Sequence, residues 1–176
     1  MGNAYFRNGK IEFTGNTIIG ETPIETREFT QAEIDNPKIV NGKIVEDTDA
    51  RDVKLLEKIK DSKVNLRNEI NETTKSIILA GYQFKNKTMS CSETHQGQIE
   101  SLYNRRNDGV LTFPFDYAVK DDSEMVEISD IADLEAMYLT ILSHVFTAKQ
   151  AGNVKKKEIN AMTTIDGLEN FVDDRV

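Results

Sequence analysis

Apolar residues in the first fifty positions come in short alternating groups separated by Asn-Gly pairs, a pattern that predicts hairpins. Tyr5-Phe6 and Ile11–Phe13 flank Asn8-Gly9, and Ile39-Val40 and Ile44-Val45 flank Asn41-Gly42. Asn-Gly suits a two-residue turn because both central residues need positive φ. Between the hairpins, Thr30-Gln31-Ala32-Glu33 reads as a capping box opening one helical turn, which Asn36-Pro37 ends. Asp47 to Arg51 reads as a polar link.

From Asp52 to about Ala80 the pattern becomes helical, with neither Gly nor Pro. Leu56, Ile59, Lys63, Leu66, Ile70, Thr73, Ile77 and Ala80 alternate spacings of three and four, a heptad stripe interrupted by Lys63 and Thr73. Such a stripe either packs on another helix of the same chain or forms a seam between subunits through Leu56, Ile59, Leu66, Ile70 and Ile77. Gly81 predicts the helix stop. Tyr82-Gln83-Phe84 and Thr88-Met89-Ser90 flank Lys85-Asn86-Lys87 as a small hairpin. Ser90-Cys91-Ser92-Glu93 reads as a second capping box. It opens a helix to about Arg106 with His95, Ile99 and Leu102 on its apolar face, and Gly97 weakens that helix by about 1 kcal/mol relative to Ala.

Asn107-Asp108-Gly109 predicts a turn before an extended segment, Val110 to Val119. There Leu111, Phe113, Phe115, Tyr117 and Val119 alternate onto one face. Pro114 lacks a donor and places this strand at an edge. Phe113, Phe115 and Tyr117 then either cover the core or form an aromatic edge that accepts a partner strand or a sugar face. Lys120 to Glu127 reads as an acidic loop. Ser129 or Asp130 caps a helix to about Lys149, whose Ile131, Leu134, Tyr138, Ile141, Leu142 and Val145 make a stripe wide enough for a core helix. Gly152-Asn153 predicts a break, followed by a basic helix. Thr163-Thr164 cap a last short helix carrying Ile165, Leu168 and Phe171. The fold class is α+β: N-terminal β-hairpins (1–50), a long connecting helix (51–80), and a mainly helical C-terminal domain with a small β-hairpin (81–176).

Charge narrows the function classes. Among 176 residues the net charge is −8 and the pI about 4.9, so a uniformly acidic surface repels phosphate backbones and anionic lipid. Neither nucleic acid nor membrane is expected as a partner. The basic runs Arg105-Arg106 and Lys155-Lys156-Lys157 read as solvated helix ends or loops. No stretch approaches the roughly 18 apolar residues of a membrane span, and the first residues lack the apolar run of a signal peptide. One cysteine, Cys91, allows no internal disulfide.

Catalytic and cofactor motifs are not found: there is no glycine-rich phosphate loop, Cys pair for zinc or nucleophile elbow. Cys91 and His95 lie four apart, a spacing that suits two metal ligands or a thiol beside a base, but no third group is evident. His144 reads as a boundary residue. Asp47 to Asp52 begins like a calcium loop, yet Asp52 and Lys58 stand where that loop needs Gly and Glu. Asp121, Asp122, Glu124 and Glu127 read as an exposed acidic loop. No catalytic residue, metal or cofactor is expected.

From about residue 66 to 172 the chain resembles a tail-associated domain of tailed bacteriophages that lacks an assigned function. The residues that carry the resemblance are Ile78-Leu79-Ala80-Gly81-Tyr82-Gln83-Phe84 with the basic turn Lys85-Asn86-Lys87. They continue in the capped helix with Gln96 and Gln98, in Ile131 to Val145 with His144, and in Ile159-Asn160-Ala161-Met162-Thr163-Thr164-Ile165-Asp166-Gly167-Leu168. The pattern often carries a Trp in the extended segment, and this chain has none. Such domains occur in minor tail proteins and in proteins near tail-fibre genes, among them fibre-assembly factors. The resemblance implies a non-enzymatic tail or tail-fibre protein acting through other tail or fibre proteins, as a trimer if it lies on a fibre axis. The alternative is an assembly chaperone absent from the mature virion. The location is then the virion tail, or the host cytoplasm during assembly.

Overall fold

The structure, a computed structural model, describes residues 1–7, 10–16, 18, 22–121 and 123–175. They form an α+β fold that divides into two compact units, residues 1–60 and 61–176.

In the first unit, β1 (Gly2–Arg7) is the centre of an antiparallel sheet, flanked by β2 (Lys10–Thr14) and β3 (Glu25–Arg27). Ala4 stands opposite both Phe13 and Glu25. The predicted first hairpin is present as the β1–β2 pair, and its Asn8-Gly9 turn lies outside the described residues. The second hairpin joins β4 (Pro37–Val40) to β5 (Lys43–Glu46). Asn41 and Gly42 both have positive φ, 52° and 76°, as the Asn-Gly pair demands. The helix between them, α1 (Gln31–Asp35), carries the predicted capping box of Thr30 and Glu33 and ends at Asn36.

Among its described residues this unit buries few large apolar side chains, Tyr5 and Ile44. A polar network joins its parts. Arg27 donates to both carboxylate oxygens of Glu33 (3.0 and 2.7 Å), to Glu25 Oε1 (2.9 Å) and to the Ile44 carbonyl (2.8 Å). The Ile44 N–H donates to Glu25 Oε2 (2.7 Å). One guanidinium thereby ties β3, α1 and β5 together.

The long helix, α2 (Thr48–Leu79), begins earlier than its sequence pattern suggests. Asp47 to Arg51 is not a link: the Asp47 carboxylate accepts from the Ala50 N–H (3.3 Å), so the acidic run caps and opens the helix. Gly81 ends it at φ +95°, and a Cβ there would sit 2.4 Å from the Met89 carbonyl oxygen, so both backbone angle and space require glycine. The small hairpin follows as β6 (Tyr82–Phe84) and β7 (Lys87–Met89), turning at Lys85 and Asn86, both of positive φ.

The next helix, α3 (Glu93–Asn104), is capped by Ser92, whose hydroxyl accepts from the His95 N–H. The predicted cap, Ser90, is two residues too early. Its hydroxyl instead lies 3.1 Å from His95 Nδ1, which also meets the Ser92 hydroxyl at 2.6 Å. Of the extended segment Val110 to Val119, only β8 (Phe115–Ala118) is strand. It pairs with β9 (Met125–Ile128), which overlaps the stretch Lys120 to Glu127 expected to be an acidic loop. Val126 and Ile128 are buried and alternate with exposed Met125 and Glu127, a half-buried strand hidden by its acidic flanks.

The central helix, α4 (Ile131–Ala161), is capped by Asp130 and runs unbroken through Gly152-Asn153. Gly152 is buried, and a Cβ on it would lie 2.5 Å from Thr74 Oγ1 and 3.0 Å from Arg175 Nη1. Glycine here admits a close crossing of α2, and the packing outweighs its poor helix propensity. Thr164 caps the final helix, α5 (Ile165–Glu169), as expected. The second unit's core gathers Tyr82, Phe84, Met89, Cys91, Ile99, Val126, Ile128, Leu134, Met137 and Ile141.

Candidate functional site

Alongside the Gly152 crossing, α2 and α4 line a cleft of about 650 Å³, bounded at one end by the start of α3. On α2, Asn71, Thr74, Lys75, Ile78 and Leu79 fall on successive turns and line one wall. On α4, Val145, Lys149, Asn153 and Lys156 line the other at spacings of four, four and three. Glu93 and Gln96 of α3 and the buried Cys91 close the end.

Local bonds hold these walls. The Thr74 hydroxyl donates to the Ile70 carbonyl (2.7 Å) and accepts from Arg175 Nη1 (2.9 Å). Arg175 also donates to the Ile70 carbonyl (3.2 Å) and to both oxygens of Asp173 (2.7 and 2.6 Å). The guanidinium holds the Asp173 carboxyl below the usual aspartate range. Farther along the crossing, Lys63 Nζ donates to the Asn160 carbonyl (2.9 Å) and Arg67 to the Asn160 side chain. Gln96 Nε2 donates to the Cys91 carbonyl (2.9 Å).

The cleft's charge departs from that of the whole chain. Lys75, Lys149 and Lys156 face a single carboxylate, Glu93, and none of the three has an ion-pair partner among the described residues. Lys155, next along α4, is by contrast tied to Glu158 (3.1 Å) and Asp174 (2.9 Å). The two basic runs are thus not merely solvated: Arg106 likewise pairs with Glu135 (3.1 Å) and lies 3.8 Å from the Tyr103 ring centre.

A second exposed feature lies on the outer face of α4. Leu139, Leu142 and Phe146, at spacings of three and four, are 60%, 46% and 64% exposed, while Leu134, Met137 and Ile141 are buried on the opposite face. The expected stripe is therefore narrower than its sequence pattern: Ile131 and Leu142 are exposed, and Met137, outside that pattern, is in the core.

Residues expected as a seam divide. Ile70 is buried, and Ile59, Leu66 and Ile77 are half-buried, whereas Leu56 is 65% exposed. Phe113, Phe115 and Tyr117 are half-buried and pack against the second unit's core, with Phe113 and Phe115 ring centres 5.4 Å apart. Cys91 and His95 do not share a helix face, because Cys91 precedes α3 and is fully buried, which raises its thiol pKa. His144 is half-buried, its Nε2 3.4 Å from the Ile78 carbonyl. Among the described residues no group of His, Cys, Asp and Glu is placed to hold a metal ion. Glu124 is bound to Lys87 and Asp121 to Ser123, and Asp122 lies outside the described residues. No described helix is long and apolar enough to cross a membrane.

Neither cleft nor outer face is legible as a site in the sequence. The lysines are scattered along the chain, and only the antiparallel crossing of α2 and α4 assembles them. Residues 61–173 match the family described as a domain of unknown function (DUF4376). No curated protein and no solved structure matches the chain.

Proposed function

The chain belongs to the DUF4376 family, and we propose that it is a non-enzymatic tail or tail-fibre protein of a bacteriophage, working through protein–protein contact. The observation that carries the contact role is the outer face of α4. Three large apolar side chains project from the middle of a rigid 31-residue helix whose opposite face is in the core. Clustered exposed apolar side chains of this kind mark interaction surfaces more often than isolated ones do. The phage setting rests on the sequence resemblance carried by Ile78 to Phe84 and Ile159 to Leu168. Neighbouring tail or fibre subunits are then the partners, and the virion tail the location.

The test replaces Leu139 and Phe146 together by Glu in the phage or prophage that encodes the chain. Loss of the protein from purified particles, with the variant still folded and present in the lysate, supports the reading. Undiminished incorporation of the double variant contradicts the role given to this face.

A further inference from the structure

We infer that the cleft between α2 and α4 binds an acidic, extended peptide segment of a protein partner, an inference that rests on the protein-contact reading above. Three lysines without an ion-pair partner among the described residues converge on one groove in a chain of net charge −8, and a lone glutamate opposes them. A cation cluster in an acidic molecule attracts anions locally while the wider surface repels them, so only a ligand able to seat its charge inside the groove is favoured. The cleft's volume, about 650 Å³, suits a few side chains of a peptide.

The spacing favours separate carboxylates over contiguous phosphates. Lys149 and Lys156 stand seven residues apart on α4, about 10 Å along the helix axis. In a polyproline-like segment, side chains three residues apart share a face and lie about 9 Å apart. Glutamates at that interval can reach both lysines, with Lys75 opposite. Beyond Lys149, Ile78 and Val145 add apolar lining, and the Asn71 and Asn153 amides can bond peptide backbone. Glu93, at the closed end, penalises a dense polyanion.

The probe is an N-acetylated nonapeptide with glutamate at every third position and leucine beside each, fluorescently labelled, with a counterpart carrying glutamine for every glutamate. Binding to the full chain is read by fluorescence polarisation. The glutamate peptide should bind saturably, and the glutamine peptide at least about tenfold more weakly. Combined Lys75→Gln, Lys149→Gln and Lys156→Gln should weaken the glutamate peptide by at least about tenfold. Lys58→Gln, Lys60→Gln and Lys157→Gln, an equal change of charge outside the cleft, should leave it nearly unchanged. Circular dichroism confirms that both variants keep their helix. No saturable binding, equal binding of the two peptides, or equal loss in the two variants would overturn the inference. Such a failure leaves incorporation into particles untouched, so it is separable from failure of the tail-protein reading.

Discussion

Three glycines show how one residue type takes opposite roles at different places. Gly97 sits inside α3 with nothing within 4 Å of a built Cβ, so Gly97→Ala should raise stability by about 0.5–1 kcal/mol through helix propensity. Gly152 is also helical, but its Cβ would collide with Thr74 and Arg175. Gly152→Ala should destabilise by about 1–3 kcal/mol despite the same propensity gain, and Thr74→Ala should partly rescue it. Urea denaturation of the three variants checks both signs. Arg175 packs at the same contact: its side chain is 8% exposed and bonds to Asp173, Thr74 and the Ile70 carbonyl. Arg175→Ala should cost about 1–3 kcal/mol in the same assay, since it strands partly buried acceptors. The sequence marks Gly81 as a stop because its neighbours change pattern there, but it offers Gly152 as a break and gives no sign that it is a packing contact inside a helix, as Gly97 is not. That distinction lies in which helix comes near, a fact of tertiary packing.

At the scale of elements, local signals suffice where a cap or turn has its own chemistry. The Thr30–Glu33 box, the Asn41-Gly42 turn and the Thr164 cap stand where their residues imply. Strand β9 is hidden because its two buried residues, Val126 and Ile128, sit among acids that read as loop. The unbroken course of α4 is hidden because Gly152-Asn153 imitates a stop, and its stripe looks wide because two faces, one buried and one exposed, are summed. Neighbouring positions on α4 test this phase. Ile141→Ala should cost about 2–5 kcal/mol, while Leu142→Ala, one residue on, should stay within about 1 kcal/mol. Equal costs would mean that the helix is rotated from the face described. In the first unit, the Arg27 network joins β3, α1 and β5. Donation from Arg27, then from the Thr30 backbone, lowers the Glu33 carboxyl from 4.5 to about 2. Because the folded pKa lies below the unfolded one, the stabilisation is present above about pH 4.5 and is lost as pH falls towards 2. Protection factors of the β1–β3 amides, corrected for the intrinsic pH dependence of exchange, should therefore fall over that interval, and Glu33→Gln should reduce the dependence, leaving the part due to Glu25.

For the whole molecule, an acidic chain carries a lysine-lined cleft and an exposed apolar helix face, and both lie in the unit that matches the family. The class of fold can be read from pattern, since alternation and heptad spacing are local. The site cannot, because its lysines come from two helices distant in sequence, Lys75 on one and Lys149 and Lys156 on the other, and meet only when these cross antiparallel. Leu66, Ile70 and Ile77 are at least half-buried within one chain, so Leu66→Ala should destabilise the monomer, whereas the exposed Leu56→Ala should change stability by less than about 0.5 kcal/mol. Whether the protein serves the phage tail by contact can be read from quantitative mass spectrometry of gradient-purified particles from the phage or induced prophage that encodes the chain. A tail component should be present in a fixed number of copies in each particle, in proportion to known tail subunits. Clear absence from particles, with the chain abundant in the lysate, would contradict it and favour a transient assembly chaperone instead.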